Sequence, residues 1–143
     1  MTANGRPFRV INTHLDSTVP AIRRAQAGEL LAGPANTSMP VVLVGDLNSA
    51  PGESGPSAYA TLIGSGFVDT WTQANGAAPG FTCCQAENLR NPTPTFTERI
   101  DHVLSRPRLK VLRSQLIGGD HQDRTRSGLW ASDHAGIMIT FTP

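Results

Sequence analysis

Four short segments concentrate the side chains able to move protons or hold an anion: "NTHLDS" (12–17), "GDLNSAPGE" (45–53), "ERIDHVL" (98–104) and "SDH" (132–134). They offer His14, Asp46, Asn48, Asp101, Asp133 and His134. Asp46 and Asn48 stand two residues apart after an apolar run, and alternate residues of an extended segment face the same side. Asp and Asn also form turns without any chemistry. Asp101 sits amid apolar residues, and a buried carboxylate there needs a partner, because an unpaired one is costly. His14 at a strand end and the Asp133–His134 pair each have a structural reading as well, as a satisfied histidine and as a surface turn.

Taken together, the set matches the demands of phosphate-ester hydrolysis. That reaction needs a carboxylate to receive or orient a water's proton and donors on the non-bridging oxygens. It also needs a cation to offset charge building on phosphorus and on the leaving oxygen. A histidine held by an aspartate supplies protonated imidazole near neutral pH, because the adjacent negative charge favours the charged form. The chain has a candidate for every part except a full metal cage.

The elements that must position these groups read as follows. Residues 8–13, "FRVINT", are β-branched and aromatic and predict a strand. Asp16, Ser17 and Thr18 are candidate caps for a helix running from Pro20 to about Leu31, with Gly33 and Pro34 as its stop. Residues 41–45 predict a strand buried on both faces, and a short helix is expected around 56–64. Phe67 to Trp71 read as a short strand, and 75–94 as a long Gly-, Pro- and Asn-rich loop of the sort that walls a site. Residues 99–105 and 109–117 look like two strands paired around "RPR", and 135–141 is a last strand. The order gives a mixed α/β fold with a largely buried sheet, and the polar groups gather where strands end, as ligand sites in open α/β sheets do.

Composition excludes several classes. The chain has 143 residues, enough for one domain with a core. Hydrophobic residues make up 38% and charged ones 16%, too apolar for a disordered chain. A net charge of +1 gives no long-range pull toward nucleic acid. No apolar run approaches the roughly 18 residues of a membrane span. The start, "MTANGRPFRV", lacks the apolar stretch of a secretion signal. As written the chain reads as soluble and cytoplasmic, and as secreted if an upstream signal precedes it. Cys83 and Cys84 are neighbours. Metal ligands are usually spaced C-x₂₋₄-C, and a trans peptide puts adjacent Cα atoms about 3.8 Å apart, so two unbridged thiols at a packed turn are expected.

"NTHL", "GDLN", "RIDHV" and "SDH", in that order, resemble the later motifs of the endonuclease/exonuclease/phosphatase superfamily, which includes DNase I-like nucleases, inositol phosphatases and neutral sphingomyelinases; "RRAQAGELL" resembles the helix after the "NTHL" strand. The resemblance spans nearly all of 8–141. It implies that Asp46 activates the attacking water, that Asn48 and His14 contact phosphoryl oxygens, and that Asp101 holds the ring of His134. His134 is then the acid–base or phosphate-stabilising group, and Asp133 helps hold a divalent cation, Mg²⁺ with Mn²⁺ as the substitute. The implied partner is a phosphate ester: nucleic acid, a lipid head group or a small phosphate. The implied fold is an α/β mixed sheet with flanking helices, the C-terminal half of a four-layer α/β/β/α sandwich, so residues 1–143 read as a single, incomplete domain. The family's early Asn and metal-binding Glu have no counterpart here. That predicts an incomplete cation site, with Glu29, Glu53, Glu87 and Glu98 as acidic alternatives, and a sheet face that pairs with a missing half or with another copy.

A catalytically incomplete fragment that only folds or pairs is the alternative function. A calcineurin-like metallophosphatase would need "GD-x-x-D" and "GNH", whereas position 49 is Ser49 and no "GNH" occurs. No G-x-S-x-G elbow is present for serine catalysis. His102 and His121 have no matching role and read as structural or exposed. Trp71, Trp130, Phe81 and Phe96 read as packing, with Trp130 nearest the "SDH" segment.

Overall fold

The structure, a computed structural model, describes residues 1–3 and 5–142. A four-stranded sheet forms its centre, in the order β3 (Arg9–His14), β4 (Val41–Asp46), β6 (Asp101–Arg106), β5 (Val68–Asp69). β3 runs parallel to β4; β6 is antiparallel to both β4 and β5. Two strands of two residues each, β1 (Thr2–Ala3) and β2 (Arg6–Pro7), make a small hairpin at the start. β7 (Lys110–Ile117) and β8 (Gly136–Thr142) pair antiparallel as a separate ribbon.

One face of the sheet carries Ile11, Val41, Leu43 and Leu104, all buried. Against it pack α1 (Pro20–Ala32), through Ala27, and α2 (Ala58–Gly64), through Ala58 and Leu62. Pro20 opens α1 where its missing N–H costs nothing. Asp16 Oδ1 accepts from the N–H groups of Thr18 and Val19 and turns the chain into that helix. Ser57 caps α2, its Oγ accepting from Ala60 N–H at 3.1 Å. The opposite face shows Val10, Asn12 and His14 on β3, Val42, Val44 and Asp46 on β4, and Asp101, Val103 and Ser105 on β6. Val10 is 39% exposed there.

Two expectations fail. The strands flanking "RPR" do not pair with each other: β6 has both edges occupied, by β4 and β5, so β7 finds its partner in β8. Trp71 is not in a strand. Asp69 accepts from the N–H groups of Trp71 and Thr72 and caps α3 (Thr70–Asn75). That cap stops β5 after two residues. α3 is tied to β7 by Gln73 Nε2 donating to Leu109 O at 2.7 Å and Asn75 Nδ2 donating to Ser114 O at 3.2 Å. Among the described residues no helix is long and apolar enough to cross a membrane.

Candidate active site

Register places three of the singled-out side chains on one rung. His14 lies opposite Asp46 on the neighbouring strand, and Asp46 lies opposite Asp101 on the next. All three point to the face away from the helices. The rung sits at the carboxyl ends of the parallel pair β3 and β4. Like charges directly opposite in an antiparallel pair are destabilising, so packing alone does not explain two aspartates there.

Gly45 makes the rung possible. Its φ is +132°, and a Cβ there would stand 1.9 Å from Thr13 O. β3 and β4 therefore close together just before His14 and Asp46. Beyond Asp46 the chain turns sharply. Asp46 Oδ1 accepts from Asn48 N–H at 2.8 Å, and Asn48 takes a left-handed φ of 48°. Asn48 Nδ2 donates to Leu15 O at 2.9 Å, which leaves one amide hydrogen and the amide oxygen for a ligand. His14 is exposed, its Nε2 3.4 Å from Asp46 Oδ2. Burial raises the Asp46 pKa above the ordinary carboxylate value; the Asn48 N–H opposes this and the Asp101 charge adds to it.

His134 reaches the rung from far along the chain. Its Nδ1 is 2.8 Å from Asp101 Oδ2. Burial pulls the imidazole pKa down, but the hydrogen bond to Asp101 and the charges of Asp101, Asp46 and Asp133 outweigh it, and the value is raised. Nε2 is the ring nitrogen not engaged by Asp101. Asp101 is partly exposed rather than buried, its side chain 21% accessible, because the rung lies at the rim of the sheet. Asp133 is exposed on the adjoining turn, its Oδ1 accepting from Ser132 Oγ at 3.3 Å.

The residues that hold this arrangement come from the long loop. Thr82 O accepts from Ala135 N–H at 2.8 Å, while Thr82 Oγ1 accepts from the N–H groups of Ile100 and Asp101. Asp133 O accepts from Gln85 N–H at 2.8 Å. The segment 82–85 thus stitches the Asp101 strand to the His134 turn. Sequence reasoning placed a site wall here but missed these two positioning residues; the only signal was their position inside a long loop. Cys83 and Cys84, expected as two thiols at a packed turn, bring their sulfur atoms together here, and the peptide joining them is cis. Cys84 Sγ lies 4.0 Å from His134 Nε2.

Other candidates fall elsewhere. Glu53 closes its own turn, accepting from Ala50 N–H and Ser49 Oγ. His102 is buried with Nε2 2.9 Å from Ser49 O, and burial lowers its pKa, as suits a neutral structural ring. Trp130 is buried, its Nε1 donating to Asn91 O. Behind the site Arg99 pairs with buried Asp69, which also accepts from Tyr59. Burial and the Asp69 charge push the Tyr59 hydroxyl up to about 12, so it stays a donor.

Ligand atoms of Asp46, Asp101 and His134 all lie within 4.8 Å of one another. Two carboxylates suit a hard divalent cation, which takes oxygen ligands and keeps several waters. The His134 nitrogen on that side is already engaged by Asp101.

Residues 3–134 match the family model described as "Endonuclease/Exonuclease/phosphatase family". No curated protein matches the chain. Among solved structures, the Bacteroides thetaiotaomicron VPI-5482 mannosyl-6-phosphatase Bt3783 is 22% identical, with TM-score 0.76, over 98% of this chain and 53% of that one. D. rerio TDP2, solved in complex with single strand DNA product, is 23% identical, with TM-score 0.73, over 99% and 59%. Truncated Caenorhabditis elegans TDP2 is 26% identical, with TM-score 0.64, over 94% and 54%. The chain spans about half the length of the solved structures it matches. The expected α/β mixed sheet with flanking helices, resembling half of a larger sandwich, is borne out.

Proposed function

The chain belongs to the endonuclease/exonuclease/phosphatase family, and on that ground we propose that it carries the water-activating side of a divalent-metal-dependent phosphoester hydrolase. One observation carries the reading: Asp46 and Asp101 face each other across β4 and β6 while Asp101 holds His134 at 2.8 Å. A sequence selected for stability alone avoids that carboxylate pair.

Each side chain has a task its position suits. Asp46, at the sheet rim and open to solvent on one side, accepts the proton of a water that attacks phosphorus in line with the leaving oxygen. His134, its pKa raised by Asp101 against the pull of burial, donates from Nε2 to a phosphoryl oxygen. His14 Nε2 and the second amide hydrogen of Asn48 flank Asp46 and bind the remaining oxygens. Asp46 and Asp101, with Asp133 on the adjoining turn, would hold Mg²⁺ or Mn²⁺, and when bound that cation offsets charge on the phosphoryl group and on the leaving oxygen.

The half-length match supports a further part of the proposal: residues 1–143 supply one portion of a domain whose other half completes the cation site. The exposed Val10 on the inner sheet face favours this, and it also favours the second reading, a pairing module without turnover of its own. Assay of the purified chain with Mg²⁺ or Mn²⁺ on a chromogenic phosphodiester separates them. Turnover abolished by Asp46→Asn supports hydrolysis by the chain itself. Turnover that emerges only when the other half is supplied supports the half-domain. Turnover indifferent to Asp46 in both settings refutes the assignment.

A further inference from the structure

We infer that His102 is a positioning residue for the proposed reaction: from the helix side of the sheet its Nε2–H holds Ser49 O and so fixes the turn that presents Asp46 and Asn48. That role rests on the ones assigned above to Asp46 and Asn48. Asp101 and His102 are neighbours on β6, so their side chains leave opposite faces. Asp101 reaches His134 on one face. His102 reaches Ser49 on the other, its Nε2 2.9 Å from the carbonyl oxygen. One strand thus orients both parts of the site.

The bond exists only because the chain turns. In register His102 stands opposite Gly45, four residues before Ser49. Four residues of continuing strand would carry Ser49 about 13 Å away, beyond the reach of an imidazole. The left-handed Asn48 bends the chain back instead, and the His102–Ser49 bond closes that bend from beneath.

Ser49 is fully buried, and a buried carbonyl needs a donor. Among the described residues no backbone N–H reaches it, so His102 supplies the donor. The hydroxyl of the same residue is held as well: Ser49 Oγ donates to Glu53 Oε2 at 3.1 Å and accepts from Tyr59 N–H at 3.1 Å. Tyr59 also braces the imidazole, with ring centroids 5.0 Å apart, and is itself anchored through its hydroxyl to Asp69. Ser49 O can only accept, so the hydrogen of the neutral ring is on Nε2 and Nδ1 is bare. Nδ1 is buried with no partner among the described residues. An apolar side chain would avoid that orphan and its cost. What the histidine adds is one donor aimed at one carbonyl.

The test reads the turn directly and needs no turnover. In the isotope-labelled chain, long-range nitrogen–proton correlation should show hydrogen on His102 Nε2. Amide exchange is then followed at Asn48, whose N–H is bonded to Asp46 Oδ1. His102→Leu should speed exchange at Asn48 about tenfold or more, because it strips a buried carbonyl of its donor, and should leave the amides within α1 unchanged. His102→Gln, whose amide nitrogen can donate from the same place, should restore the protection. If His102→Leu does not fold, His102→Asn, whose amide falls short of Ser49 O, gives the same contrast with His102→Gln. A ring with no hydrogen on Nε2 overturns the proposal. So does Asn48 exchange that is unmoved by loss of the donor or that His102→Gln fails to restore. Exchange raised equally within α1 overturns it too, since a merely structural role would give that. Failure of the functional reading shows separately, as phosphodiester turnover indifferent to Asp46→Asn.

Discussion

Asp46 and Asp101 confront each other across two antiparallel strands, and the cost of that confrontation is measurable in the isolated chain. Burial and the Asp101 charge raise the Asp46 pKa, so the ionised carboxylate weakens the folded state at neutral pH. Asp46→Asn should therefore stabilise the chain by up to about 1 kcal/mol in urea denaturation at pH 7, while removing the proposed base. His134 behaves oppositely. Its pKa is raised above 6.5 by Asp101, so the pair's contribution is complete below pH 6.5 and is lost as pH rises through the raised folded value. Nuclear magnetic resonance titration should place the His134 ring above the ordinary histidine value, and Asp101→Asn should bring it down. A His134 ring that titrates identically in both proteins would show that Asp101 does not hold it. The carboxylates and the histidine were readable because short motifs carry them. The positioning role of Thr82 and Gln85 was not, because backbone partners made from within a long loop leave no mark on composition or spacing.

β3 and β4 approach so closely at Thr13 and Gly45 that a single methyl group tests the geometry. In Gly45→Ala the new Cβ meets Thr13 O at 1.9 Å in a left-handed backbone region. It should cost about 3 kcal/mol or more, from strain and overpacking together. Urea denaturation measures the loss. A loss under about 1 kcal/mol, the usual size of an ordinary substitution, would mean that the strands do not close there. Strand and helix positions near the site followed from local pattern: the apolar run 41–45 and Pro20 at a helix start each match a single element within a residue or two. Pairing did not. Which strand lies beside β6 depends on β4 and β5, which come earlier in the chain, and no feature of "RPR" reports that both edges are already occupied. The start of α3 lies inside the expected strand 67–71, because Asp69 both ends β5 and caps the helix.

Across the whole chain, chemistry and apolar surface share one side of the sheet. Val10, 39% exposed, lies on the same face as the His14–Asp46–Asp101 rung, where Val42 and Val103 are buried; Leu112 and Met138 of the β7–β8 ribbon are 58% and 43% exposed. Exposed apolar side chains beside a site are where a pairing surface would begin. The isolated chain should self-associate with concentration in analytical ultracentrifugation, and Val10→Lys should shift it toward monomer; a wild-type chain that stays monomeric at high concentration would remove this inference. The sequence carried this face only as an expectation drawn from resemblance, because period-two alternation identifies the two faces of a strand but not what covers them. The most direct test is hydrolysis of a chromogenic phosphodiester with Mg²⁺ by the protein and by its Asp46→Asn and Asp101→Asn variants. If the rung is the catalytic centre, turnover falls by about 10²–10⁴ without the Asp46 carboxylate and drops substantially without Asp101, with folding intact. Undiminished rates in both folded variants would contradict it.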